Sequence, residues 1–427
     1  MKNWFAGTFR SLRLYNYRLW AAGSLVSNVG TWMQRIAQDW LVLTELTHHS
    51  ASAVGITMGL QFAPPILFLP WTGLAADYFD QRKLMLTTQA LMGLLALALG
   101  LLTVTGVVQL WHVYVFAFLF GTVAAFDAPV RQTYVSELVG EADLANAVAL
   151  NSMTFNGARM LGPAAAGVLI AGVGTGWAFL LNGASFIAVL LSILFLRRSE
   201  LRPSARAQRG RSSFVDGFRY VWHRPDLRAN LLMLLIIGMF GMNFAIFIAT
   251  MAVKVFHADA NGFGLLTSLM AVGTIIGGLM AAARERPYFK HLVAGAGVFG
   301  VGCTLGALAP SFWLYGAALV LTGMASLTFL NSTNALLQLS TEPAMRGRVM
   351  AIRMAIAMGG TPIGAPIVGW VADHAGPRWA MAVGAAAGFG ALLVGIVYLM
   401  KIAPPDRAAS GGHQAAREAV EPGEELT

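Results

Sequence analysis

Residues 73–83 read GLAADYFDQRK, a polar stretch ending in a basic pair, at the junction of two long apolar runs, 52–75 and 84–105. An apolar run of ~20 residues wound as helix crosses a ~30 Å hydrocarbon core. The stretch is therefore a tight turn between two membrane spans. Outward from it in both directions the same alternation recurs, giving twelve spans. Six lie in the first half, at 18–44, 52–75, 84–105, 111–129, 145–171 and 177–196. Six lie in the second, at 229–253, 262–283, 289–309, 312–336, 347–372 and 378–400. Composition agrees: 57% of the 427 residues are hydrophobic and only 11% charged, where a soluble domain carries about a quarter charged residues. An ordinary soluble enzyme is excluded, and an all-α polytopic membrane protein is expected, because a helix satisfies its own backbone polar groups in lipid.

The net charge of +9, from 29 Lys and Arg against 20 Asp and Glu, raises the question of nucleic acid, and placement answers it. Lys2, Arg10, Arg13 and Arg18 lie at or before the start of span one, Arg82 and Lys83 follow span two, Arg131 follows span four, and a dense Arg cluster follows span six. Arg284, Arg286 and Lys290 come after span eight and Arg346 and Arg348 after span ten, whereas the opposite side shows Lys254 and Arg378. Cytoplasmic loops carry the excess of Lys and Arg, so both termini are expected in the cytoplasm, the protein in the cell (inner) membrane, and no nucleic-acid partner. The first apolar run is too long for a signal-peptide core and is retained as a span. The organisation expected is a six-helix bundle at 1–196, a cytoplasmic linker at 197–228, a second six-helix bundle at 229–401 and a disordered tail at 402–427. Within the linker, SFVDGFRYVW (213–222) has the pattern of an amphipathic helix at the membrane surface, with Phe214, Phe218 and Trp222 on one side. A six-plus-six arrangement invites a search for a repeat, and one short match stands at the fifth span of each half: LGPAAAG (161–167) and IGAPIVG (363–369).

Chemistry-bearing residues are few. The one cysteine, Cys303, excludes a disulfide framework, and the histidines lack ligand spacing, so no metal site is expected. No nucleophile pairs with a base, and no Gly-rich phosphate loop offers an ATP site. In span one, Ser24, Asn28, Thr31, Arg35, Gln38 and Asp39 fall within roughly a third of the helix circumference. Charge at the bilayer centre costs about 2.5–3.5 kcal/mol per residue on insertion scales. The stripe thus faces a watered cavity, or Arg35 and Asp39, four residues apart, neutralise each other near the outer surface. On the first reading Asp39 is the first candidate for a proton-carrying carboxylate and Asp127, near the inner end of span four, the second. In span five Asn156 and Arg159 share a face. Arg159 would pair with a distant carboxylate, anchor an anionic group, or donate to carbonyls freed by Pro163. Asn243 in span seven and Asn331 in span ten would add polar groups to a cavity otherwise walled by Met and Phe.

The turn at 73–83 resembles the cytoplasmic loop signature of the major facilitator superfamily: Gly73, Asp77 four residues on, then Arg82 and Lys83, with Asp80 standing where the family has a glycine. ARMLGPAAAG (158–167) resembles the fifth-helix Gly-Pro motif of facilitator-superfamily antiporters, with alanines at two customary glycine positions. VGTWMQRIAQDWLV (29–42), FDAPVRQTYVSELV (126–139), FVDGFRYVW (214–222) and RGRVMAIRMAI (346–356) extend the similarity to the enterobactin-exporter and macrolide-efflux branch. The resemblance implies twelve transmembrane helices in two pseudo-symmetric six-helix bundles, alternating access to a central cavity, and export of amphipathic small molecules (drug-, macrolide- or siderophore-like) in exchange for protons. It implies no cofactor, the proton gradient being the energy source, and a monomer is expected. Gly73, Asp77, Arg82, Arg131, Gly162, Pro163 and Gly167 would form the gating motifs, and Asn28, Thr31, Arg35, Gln38, Asn156, Arg159, Asn243 and Asn331 the cavity. The alternatives are a uniporter or importer of a small metabolite, and a receptor or scaffold that moves nothing.

Overall fold

The computed structural model describes residues 9–68, 71–72, 75, 78–201, 214–282 and 288–401. Among them the chain is helical, with no strand. Twelve long segments follow in order: α1 (Tyr15–Trp40, continued by a π-helical turn, Leu41–Leu46), α2 (Ala51–Leu67), α3 (Gln81–Val104), α4 (Leu110–Val139), α5 (Glu141–Val173), α6 (Thr175–Leu194), α7 (Pro225–Val255), α8 (Ala260–Ala282), α9 (Phe289–Leu308), α10 (Phe312–Ser340), α11 (Pro343–His374) and α12 (Pro377–Lys401). The membrane face bearing the start of α1 and the end of α12 is called the terminal face below, and the other the distal face. The polar stretches expected as loops after spans four and ten are largely helix. α4 runs to Val139 and α5 starts at Glu141, parted by Gly140 alone at φ 73°. A positive φ there turns the chain in one residue, a conformation glycine adopts without a Cβ clash. α10 and α11 are parted only by Thr341 and Glu342.

Nine helices are long and apolar enough to cross a membrane among the described residues. α1, α2 and α5 are not in that set. α2 is a shorter apolar helix, and α1 and α5 carry the polar residues of the site described below. In the first half α1 packs on α5 and α6, and α3 on α6; in the second α8 packs on α10, and α9 on α10 and α12. The halves meet along α2–α11 and α5–α8.

Lipid tails supply no hydrophobic drive between helices, so close backbone approach at small residues holds such packing. A Cβ on Gly273 or Gly277 of α8 would strike the Val320 or Met324 carbonyl of α10. The contacts between halves show the duplication. A Cβ on Gly167 of α5 would meet the carbonyl of Ala260, the first residue of α8, and one on Gly264, four residues on, would meet that of Pro163. In α11 and α2, Gly369 stands in the same way against Ala51, the first residue of α2, and Gly55, four residues on, against Ala365. Pro163 and Gly167 align with Ala365 and Gly369 in the two seven-residue matches, so the short sequence repeat is one crossing built twice.

Arginines close the helix ends. Arg82, at the start of α3, donates to the carbonyls of Ile193 (3.0 and 3.2 Å) and Leu194 (3.2 Å) at the end of α6. Arg378, at the start of α12, donates to those of Ala307 (2.9 Å) and Ala309 (3.0 Å) at the end of α9. Both satisfy carbonyls left over at a helix C-terminus, where positive charge is also favoured. Asp80 caps α3, accepting from the Lys83 amide at 2.8 Å. A surface helix, Phe214–His223, seats Gly217 against Arg348 and Ile352 of α11. Phe218 and Trp222 are exposed and stacked, with ring centroids 6.0 Å apart. Arg224 ties this helix down, pairing with Asp226 (2.8 Å) and donating to the Ser340 carbonyl at the end of α10 (3.0 Å). Gly73, Asp77, the Phe214 side chain, residues 202–213 of the linker and the tail at 402–427 lie outside the described residues.

Candidate functional site

A cavity of about 240 Å³ lies between the halves. One wall is charged: Trp32, Arg35, Ile36 and Asp39 from α1, Arg159 and Pro163 from α5, beside Met58, Gln61 and Phe62 of α2. The facing wall is apolar, with Met242, Phe244 and Ile248 of α7 and Phe263 and Met270 of α8, relieved by Thr267, Thr274 and Thr361. α1 and α5, two of the three helices outside the apolar set, supply the charged wall and α2, the third, adjoins it. The lower hydropathy of α1 and α5 is the local consequence of facing a cavity instead of lipid, whereas α2 is apolar and falls outside the set by its length.

Glycines set the rotation of α1. A Cβ on Gly162 of α5 would collide with Trp32, and one on Gly30 with Asn182 and Ser185 of α6. Asn182 donates to Gln34, which keeps that side of α1 on α6. The face left for the cavity is 32, 35, 36 and 39, an i, i+3, i+4, i+7 set turned by about 60° from the polar stripe seen in the sequence. Trp32 and Ile36 therefore line the cavity, whereas Asn28, Thr31 and Gln38 do not. Asn28 instead accepts from Arg131 Nη1 at 3.1 Å, and Gln38 is buried. A polar side chain is satisfied as well by a neighbouring helix as by water, and periodicity does not separate the two.

Trp32 stands between two guanidiniums. The Arg35 Cζ lies 4.8 Å and the Arg159 Cζ 5.5 Å from its ring centroid, and Arg35 is also 5.5 Å from Phe62. Such contacts stabilise a desolvated cation by about 2 kcal/mol. Among the described residues no ion pair joins Arg35 to Asp39, and the buried Arg35 Nε has no hydrogen-bond partner. Asp39 is 7% exposed and the cavity's one described carboxylate.

Asp127, 5% exposed, sits elsewhere and is fully engaged. It accepts from Thr88 Oγ1 (2.7 Å) and Gln89 Nε2 (2.8 Å) of α3 and pairs with Arg131 at 3.3 Å, which in turn holds Asn28 of α1. This network joins α1, α3 and α4. Removing one partner of a buried ion pair costs about 3–5 kcal/mol. Asp127→Ala is accordingly expected to lower the thermal midpoint of the purified protein markedly, and Asp127→Asn, which keeps an acceptor for Thr88, to lower it less; melts in detergent check the order.

Asn243 does not reach the cavity. It is wholly buried and donates to the Met239 carbonyl at 2.8 Å, where α7 leaves a π-helical turn (Ile237–Gly241) and becomes irregular before Phe244. The break is seated on α11, since a Cβ on Gly360 or Gly364 would strike the Met239 backbone. It delivers Met242 and Phe244 to the cavity wall, and irregular backbone at membrane depth occurs where it lines a cavity or is buried in protein. Asn331 is exposed and is not among the residues that line this cavity. Arg159, Pro163, Gly162 and Gly167 lie together at the α5 crossings, while the Asn156 side chain is outside the described residues.

One group went unnoticed in the sequence. Asp373, at the distal end of α11, accepts from the amides of Ala51 and Ser52 (both 2.8 Å) and from Ser50 Oγ (3.1 Å) at the start of α2, and pairs with Lys254 at 3.0 Å. It joins the halves at the N-terminus of a helix, where negative charge is favoured. The available signal was an aspartate closing span eleven on the same side as the isolated Lys254.

The sequence matches the transmembrane secretion effector family (MFS_3) over residues 6–421. It is 26% identical to the staphyloferrin A transporter of Staphylococcus aureus over 82% of this chain and 88% of that one. Identity is 26% to the enterobactin exporter EntS of Citrobacter koseri (84% and 85%) and 25% to the multidrug efflux pump Tap of Mycolicibacterium fortuitum (83% and 88%). The fold superposes on an inward-facing, occupied bacterial homologue of the lysosomal transporter Spinster with a TM-score of 0.71 at 14% identity, over 90% of this chain and 96% of that one. A two-fold repeated helical bundle around a central cavity and a family match across nearly the whole length agree: the chain is a multi-pass membrane protein of the transmembrane secretion effector family, within the major facilitator superfamily of transporters.

Proposed function

We propose that the protein exports amphipathic small molecules, drug-, macrolide- or siderophore-like, by alternating access at the cavity between its halves, in exchange for protons carried on Asp39. The observation that carries this reading is the cavity itself, with charge on one wall and Met, Phe and Ile on the other, suited to a ligand with one polar and one apolar end. The names of two of the relatives, an enterobactin exporter and a multidrug efflux pump, support export of that class. In this reading 1–196 and 229–401 are the two moving bundles, 197–228 their cytoplasmic tether and 402–427 a tail. The terminal face, rich in Arg and Lys, is cytoplasmic in the inner membrane, and the protein acts as a monomer. Gly73, Asp77, Arg82 and Arg131 govern closure at that face, and Gly162, Pro163 and Gly167 the α5 crossings. The test is an accumulation panel in a bacterial strain deleted for its own efflux pumps. Expression of the chain is expected to lower the cell content of at least one amphipathic compound, and collapse of the proton gradient to restore it. Unchanged content across siderophores, macrolides and dyes would leave the scaffold reading in its place.

A further inference from the structure

We infer that the substrate is anionic: a carboxylate held between Arg35 and Arg159 beside Trp32, with its apolar body against α7 and α8. The inference rests on the cavity being the substrate site. Among the described residues the ionisable lining is two guanidiniums and one carboxylate. Positive charge is in surplus by one with Asp39 ionised and by two with Asp39 protonated. If Asp39 turns onto Arg35, one helical turn away, Arg159 still lacks a carboxylate.

Among the described residues, three other carboxylates of the spans are already held. Asp127 is held by Thr88, Gln89 and Arg131, Glu45 accepts from Thr175, and Asp373 is held by α2 and Lys254. The two arginines have aromatic rings against them instead, and Arg35 Nε finds no acceptor among the described residues. A ring face eases the charge of a guanidinium but does not match the planar fork of N–H donors that a carboxylate satisfies bidentately. A cationic ligand would add to the surplus when the cavity closes and water leaves, whereas an anion cancels it. The opposite wall orients the ligand, because Phe244, Phe263 and Met270 offer a tail apolar contact and no charge.

The test uses the full-length protein in lipid nanodiscs and three probes sharing one fluorophore: dansylglycine, an anion; dansylglycinamide, neutral; and dansylcadaverine, a cation. Binding is followed by energy transfer from tryptophan to dansyl, over the signal of empty discs. Dansylglycine is expected to bind about tenfold or more tighter than the amide, from hydrogen bonds to a charged group, with the cation weakest. Arg159→Gln is expected to narrow the gap between acid and amide to about twofold, and the ranking in the parent protein stands even if that variant fails to fold. Equal affinities, or a preference for dansylcadaverine, would overturn the anion assignment and leave the cavity as the substrate site. Absence of binding by all three probes would overturn both.

Discussion

Asp39→Asn is expected to insert and fold like the parent protein and to bring efflux driven by a pH gradient down to the level of empty vesicles. The side chains are nearly isosteric. Removing a formal charge at a buried membrane position eases insertion, where a central carboxylate costs about 2.5–3.5 kcal/mol. What is lost is the cavity's one described carboxylate, and with it the group able to take up a proton where the substrate also binds. The assay must hold the membrane potential at zero. With cationic surplus in the cavity an anionic cargo moves with the potential, at about 2.3 kcal/mol per charge per 100 mV, and that drive survives the substitution. Clamping with potassium and valinomycin isolates the pH term. Undiminished pH-driven efflux in the variant would remove Asp39 from the coupling mechanism. A parent protein that responds to potential and ignores pH would be a uniporter, the alternative that the pair of arginines best accommodates.

Asp373→Ala is expected to shift the protein toward a state open on the distal face. Three donors from the start of α2 and the Lys254 ammonium meet on this one carboxylate. Hydrogen bonds to a charged group are worth about 1.5–3 kcal/mol each, and part of that returns as water enters, so a tenfold or larger change in the ratio of the two states is a conservative expectation. Spin labels at His48 and Trp379, on opposite halves at that face, should show a longer distance population in the variant. Lys254→Met, which removes a partner on the same half as Asp373 and leaves the three α2 donors in place, should leave the distance distribution close to that of the parent protein. An unchanged distance distribution in Asp373→Ala would show that the crossings alone hold the distal side shut.

The fold was legible because its determinants are one-dimensional. Span length, charge alternation and the Gly-Pro stretch each leave a mark within one segment, and the repeat at 161–167 and 363–369 marks both crossings between halves. The candidate site was legible in part. Arg35, Asp39 and Arg159 stand out because charge at membrane depth is rare and has to be accommodated. Which polar residues of α1 meet the cavity was not legible, because the answer lies in Gly162 and Asn182 on other helices. Asn243 shows the same limit from the other side: a buried amide that mends a broken helix has the same sequence appearance as one that lines a cavity. Asp373 escaped because its partners are backbone amides more than three hundred residues away, and amides leave no residue-type signature.

The mirrored crossings of α5 on α8 and α2 on α11 bear on how fast the protein works. Each places glycine directly against a carbonyl, so at these glycines no side chain must change rotamer before the helices slide. Backbone contact of this kind parts and re-forms without a side-chain rearrangement, which lowers the activation barrier of rocking. Adding a methyl group at Gly55 or Gly264, where a Cβ would strike the Ala365 or Pro163 carbonyl, would therefore act as a wedge, destabilising the state in which the helices cross closely and biasing the protein toward the one in which they part.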